Sequence, residues 1–95
     1  MFTWLNKQGV KSDKGFVVQS INRFVIEYRE STKIIKISVE AALLPSGKAG
    51  VYIYPDEFEK WSDGTLIPED RQKEILKNFT DAMEFQGVAV LTDTN

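Results

Sequence analysis

Apolar residues recur at alternate positions through residues 24–39: Phe24, Ile26 and Tyr28 in one run, Ile35, Ile37 and Val39 in the next. A period of two is that of a half-buried β-strand. If Ser31 and Thr32 form a two-residue turn, Tyr28 stands opposite Ile35, Ile26 opposite Ile37 and Phe24 opposite Val39 in an antiparallel pair. One face of the pair is then apolar, and the other sets Glu27 against Lys36 and Arg23 against Glu40, each charge facing a countercharge. Sliding either strand by one residue would bring charged side chains beside the apolar set, so the pattern specifies its own register. Ser-Thr lacks the glycine or asparagine that a type I′ turn prefers, which leaves a longer or bulged loop as the alternative.

Weaker strand signals flank this pair. Residues 16–21 predict a strand that reaches the pair through Asn22, and residues 2–5 and 10–11 predict two short ones separated by turn-prone residues 6–9. Leu44, Pro45, Ser46 and Gly47 fit a type I turn, with proline second and glycine fourth, and a return strand follows. Four consecutive apolar residues, Val51, Tyr52, Ile53 and Tyr54, predict a strand covered on both faces, by the core on one and by another element or a partner on the other.

Beyond residue 54 the period changes. Pro55 suits a first helical position, Asp56 and Glu57 suit the positive end of a helix dipole, and Gly64 lies past the expected stop, so a turn or two of helix is predicted to carry Phe58 and Trp61. A longer helix is predicted between Pro68 and Gly87, opened by Glu69 and Asp70. Ile75, Leu76, Phe79, Ala82 and Met83 fall in one stripe of a 3.6-residue wheel, with Glu74, Lys77, Asp81 and Glu84 largely outside it. Residues 88–91 predict a last short strand. The expected fold is α+β: an antiparallel sheet of about five strands with one main C-terminal helix packed on one face and a short extra helix.

Length and composition narrow what such a fold can be. Ninety-five residues, 42% apolar and 27% charged, make a single folded domain spanning 1–95, too apolar for a disordered segment. No stretch approaches the roughly 20 apolar residues of a membrane span, and Met1 to Leu5 is too short for a signal core, so a cytoplasmic protein with no membrane partner is expected. The chain has neither cysteine nor histidine. That removes disulfides, thiolate nucleophiles, the commonest general base and nearly all zinc sites, and the expectation is a protein that is not an enzyme and carries no cofactor. The net charge of −2 hides an asymmetry: residues 1–48 hold eight Lys and Arg against four Asp and Glu, and residues 49–95 hold four against ten. A positive front half and a negative back half can steer a charged partner toward one face.

Few local motifs carry chemistry. Ser46, Gly47 and Lys48 fail as a phosphate loop, because Ala42 stands where the first glycine belongs and Ala49 where the magnesium-binding hydroxyl belongs. Asn78-Phe79-Thr80 spells a glycosylation acceptor inside a predicted helix, a chance match. Asp56, Glu57, Glu59 and Asp63 lack the spacing of a calcium loop and occupy a helix start and a turn, where acids are ordinary. Around Trp61 they nevertheless form an acidic, aromatic-centred candidate for partner binding, and Trp61 itself reads either as an interface anchor or as core beside Phe58. Nucleic-acid binding through Arg23, Arg29 and Lys36 with Tyr52 and Tyr54 is not expected, since Glu27 and Glu40 would sit inside the same patch. Phe85 lies off the main stripe and either packs under the helix end or is exposed to a partner.

Trp61, Pro68 and the run Ile75, Phe79, Ala82, Met83, Phe85, Gln86, Gly87, Val88, after a strand meander ending in Tyr54, resemble small immunity proteins of bacterial polymorphic toxin systems, the contact-dependent inhibition type among them. The resemblance spans roughly residues 16–91. It implies a stoichiometric inhibitor whose partner is a cognate toxin domain, such as a nuclease with a basic cleft. The matching residues are structural, so no binding residue follows from the resemblance. The candidate surface remains Asp56, Glu57, Glu59, Trp61 and Asp63, placed to occlude such a cleft. The alternative is a non-catalytic adaptor or homo-oligomer that self-associates through residues 51–54 or a sheet edge.

Overall fold

A computed structural model describes residues 1–92. Its chain order is β1 (Phe2–Asn6), β2 (Gly9–Ser12), β3 (Phe16–Asn22), β4 (Val25–Glu30), β5 (Lys33–Ser38), β6 (Glu40–Leu43), β7 (Ala49–Ile53), a 3₁₀ turn (Pro55–Phe58), α1 (Glu69–Phe85) and β8 (Ala89–Thr92). The first five strands form one antiparallel sheet in sequential order. Its β4–β5 register is the one that the alternation specifies: Tyr28 opposite Ile35, Ile26 opposite Ile37 and Glu27 opposite Lys36. Glu30 faces Lys33, leaving Ser31 and Thr32 as a two-residue loop. Ser31 adopts φ 57°, positive at the first central position alone, which is the φ pattern of a type II′ turn. A non-glycine residue there stores about 1–2 kcal/mol of strain.

Val39 is the hinge between two sheets. It is buried, and its N–H donates to the Phe24 carbonyl at 2.8 Å, which holds the end of β5 in the first sheet while β6 continues into the second. Glu40 therefore lies opposite Tyr52 and not opposite Arg23, as the simple extension of the hairpin predicts. The second sheet has order β6-β7-β8, antiparallel between β6 and β7 and parallel between β7 and β8. A parallel pair needs a crossover, and α1 with the segment before it supplies one. β7 is covered on one side only: Ile53 is buried, whereas Tyr52 is 44% exposed, so the double cover predicted for residues 51–54 does not come from this chain's described residues.

Helix α1 follows its signals closely. Pro68 is the N-cap, Glu69 and Asp70 occupy the first turn, and Ile75, Phe79, Ala82 and Met83 are buried with Leu76 packed beside them. At its end Gly87 takes φ 83°, the Gly87 N–H donates to the Glu84 carbonyl and the Val88 N–H to the Met83 carbonyl, both at 3.0 Å. That is a Schellman motif, and it turns the chain directly into β8. The core lies between α1 and the inner face of the first sheet, where Val10, Val18, Ile26, Tyr28, Ile35 and Ile37 meet Ile75 and Phe79, with Ile53 and Phe58 closing one side. Among the described residues no helix is long and apolar enough to cross a membrane.

Candidate functional site

The segment between β7 and α1 carries all five candidate residues, and it lies along β5, the edge strand of the first sheet. An edge strand presents unpaired backbone groups. Here the Ser38 N–H donates to the Glu57 carboxylate at 2.8 Å, and the Ile34 carbonyl accepts the Ser62 N–H at 2.7 Å. The Lys33 ammonium donates to Asp63 at 2.7 Å across the same edge. Phe58 drives the segment inward: it is buried and meets Phe79 edge-to-face at 5.8 Å between ring centres. The predicted turn or two of helix is one 3₁₀ turn, and Trp61 lies beyond it.

Trp61 sits instead on a small hairpin. Its N–H donates to the Thr65 carbonyl and its carbonyl accepts the Gly64 N–H, both at 2.9 Å, and the Glu59 carbonyl accepts the Ile67 N–H at 2.9 Å. Ser62, Asp63 and Gly64 form a three-residue loop in which Gly64, at φ 91°, supplies the left-handed position. Gly64 thus turns a hairpin and does not end a helix. The Trp61 ring is half-buried and stacks on Tyr28 at 6.4 Å, so this tryptophan joins the core and shows only part of itself to solvent.

The four carboxylates divide by partner. Glu57 and Asp63 are anchors, as their hydrogen bonds to Ser38 and Lys33 show. Asp63 also accepts the Thr65 N–H at 2.9 Å, and these two donors, the Lys33 ammonium foremost, hold its carboxyl well below the usual carboxylate range. A depressed pKa stabilises the fold above the ordinary aspartate value, and the contribution is lost as pH falls through the depressed one. Asp63→Asn is therefore expected to be less stable than the parent at neutral pH, with the gap closing only in acid stronger than aspartate normally needs. Added salt narrows the gap, because the pair is exposed. Urea denaturation across pH and salt reads both effects.

Asp56 and Glu59 are exposed and enter no ion pair or side-chain hydrogen bond among the described residues. Glu69 and Asp70, which the sequence identifies only as complements to the helix dipole, are exposed and unpaired in the same way. Glu69 lines a cleft of about 170 Å³ with Pro55, Phe58 and Lys73, which brings the start of α1 against the 3₁₀ turn. The edge thus presents Asp56, Glu59, Glu69 and Asp70 against Lys36, Lys60 and Lys73, a small negative balance. Across the first sheet, at the far edge, Lys7, Lys11 and Lys14 are exposed on and beside β1 and β2. The charge asymmetry of the sequence is thus partly spatial, with free acids beside β5 and lysines on and beside β1 and β2, where Asp13 pairs with the N-terminal ammonium.

Other arrangements are less suited to chemistry. Tyr28 is buried, donates to Glu30 at 2.7 Å and accepts from Asn78 at 3.2 Å. Burial, reinforced by Glu30, pushes its phenol above the ordinary tyrosine range, so it acts as a fixed donor. Arg71 joins Glu30 and Glu74, tying α1 to β4. Among the described residues no three acidic side chains converge as a metal site would require. Arg29 and Lys36 lie on the first sheet with Glu27, which pairs with Arg29 at 3.3 Å, and Tyr52 and Tyr54 belong to or adjoin the second. Acids lie among the residues weighed for nucleic acid: Glu27 beside Arg29, and Glu40 opposite Tyr52, where it accepts a hydrogen bond from the Tyr54 hydroxyl at 3.4 Å. Comparison of the chain with protein-family models, curated proteins and solved structures finds no match.

Proposed function

We propose that the chain is an immunity protein that binds and neutralises a cognate toxin effector domain by occluding its active cleft. The observation that carries this reading is the acidic edge. Of its free carboxylates, Asp56 and Glu59 project from a segment that Glu57, Asp63, Phe58 and Trp61 fix onto β5 and the core, and Glu69 and Asp70 from the first turn of α1 beside it. Charges held on a braced surface are pre-organised, so little ordering opposes association. Their field raises the rate of encounter with a basic cleft of the kind that handles nucleic acid, a nuclease among the candidates. A chain without histidine or cysteine loses nothing in such a role, since it inhibits by shape and charge.

A self-associating module is the second reading, and it rests on the second sheet. Tyr52 is half exposed on that sheet, and Leu43 is 78% exposed on its edge strand β6. Co-expression with a toxin domain encoded beside this chain, followed by light scattering, separates the two readings. The immunity reading expects a one-to-one complex and a monomer in isolation. A stable oligomer that ignores the toxin supports self-association.

A further inference from the structure

At the C-terminal end of α1, about 25 Å along the helix from the acidic edge, the two sheets part around a groove of about 480 Å³. Its floor is apolar, built from Ile26, Val39 and Val51, and its walls carry Trp4, Lys7, Arg23 and Gln86. Among the described residues no aspartate or glutamate lines it, although the chain as a whole is acidic. Lys7 in the β1–β2 turn and Arg23 in the β3–β4 turn enter no ion pair among the described residues. Two cations without counterions, facing one concavity, favour an anion.

Packing leaves Trp4, which lines this groove, largely uncovered, along with Phe85 and Phe24 next to its walls. Trp4 is 50% exposed and meets Phe85 at 5.8 Å, and Phe85 is itself 45% exposed. On the other wall the Arg23 guanidinium lies 5.9 Å from the ring centre of Phe24, which is 64% exposed. Trp and Arg on the walls of a groove with an apolar floor, and Phe beside them, are residue types enriched at protein interfaces. Two cations are too few to hold a polyphosphate against a net negative chain, whereas a peptide offers a carboxylate to them and an apolar side chain to the floor.

We propose that this groove docks an acidic, apolar-bearing segment of a protein partner. The site is separate from the acidic edge, so it stands or falls independently of the toxin reading. The test uses the full chain, labelled with ¹⁵N, and a capped peptide of alternating aspartate and leucine. Its twin of alternating asparagine and leucine and an oligothymidylate of equal charge serve as comparisons. The acidic peptide is expected to shift the Trp4 indole resonance and the amides of Lys7, Arg23 and Val88, and to leave the Trp61 indole unmoved. Lys7→Gln with Arg23→Gln should weaken it about fivefold or more, and Trp4→Ala about tenfold, with the Trp61 resonance reporting that the fold persists. Equal binding of the neutral twin, tighter binding of the oligonucleotide, shifts centred on residues 56–70, or the same shifts on concentrating the protein alone would each overturn the proposal.

Discussion

Phe79→Ala is expected to lower the melting temperature by about 15–30 °C. Phe79 is fully buried at the centre of the α1 stripe, and a large aromatic removed from a core leaves a cavity that costs about 3–5 kcal/mol. For a domain of this size each kcal/mol corresponds to about 4–8 °C. The effect reaches beyond α1. The Phe79 ring is the surface on which Phe58 rests, and Phe58 holds the 3₁₀ turn and its acids against the sheet. Phe85→Ala is the matched control: that ring sits at the exposed end of the helix and its loss should move the midpoint by only a few degrees. Thermal unfolding followed by circular dichroism measures both. A small shift for Phe79→Ala would mean that the stripe does not pack as described.

Reversing two charges, Asp56→Lys with Glu59→Lys, is expected to slow association with the toxin by about tenfold or more at low salt. Neither carboxylate has an ion pair or side-chain hydrogen bond among the described residues, so stability should stay within about 0.5 kcal/mol of the parent. Salt should erase most of the rate difference, because exposed charges are screened beyond about 10 Å at moderate ionic strength. Glu57→Gln separates anchoring from steering. It weakens the bond to the Ser38 N–H and should cost about 1 kcal/mol of stability, with a smaller change in association rate. Stopped-flow mixing across a salt series resolves the two classes of variant. An association rate that ignores the double reversal would remove the acidic edge from the mechanism.

The parts of the fold that were legible in advance are those in which neighbouring residues constrain one another. The β4–β5 register follows from apolar alternation combined with Glu27 facing Lys36, and α1 follows from its stripe and from the glycine that ends it. The second sheet was not legible as a separate layer, because it depends on a single hinge residue, Val39, whose alternation continues without a break into Glu40 and Ala41. Pro55, Asp56 and Glu57 carry the same signals whether a 3₁₀ turn or an α-helix follows. What stops the turn is the pairing of Glu59 with Ile67, a contact set by the hairpin that Gly64 permits.

The candidate site shows the same division. That residues 56–63 are acidic is plain in the chain. Which acids are free is decided by Lys33 and Ser38, which lie 30 residues before Asp63 and 19 before Glu57 in sequence. Glu69 and Asp70 belong to the edge because α1 starts beside Pro55 and Phe58, a contact that no local pattern in the chain encodes. The more exposed tryptophan is Trp4 and not Trp61, a consequence of β1 lying at the rim of its sheet while Trp61 finds Tyr28.

The most direct test of inhibition by binding is a titration of toxin activity with this chain at a toxin concentration well above the dissociation constant. A stoichiometric inhibitor gives a straight fall that reaches zero at one chain per toxin, with the same break after short and long incubation. A fall that is complete at far less than one equivalent and deepens with time, as a protein that chemically alters its target would give, contradicts it, and so does undiminished toxin activity at excess.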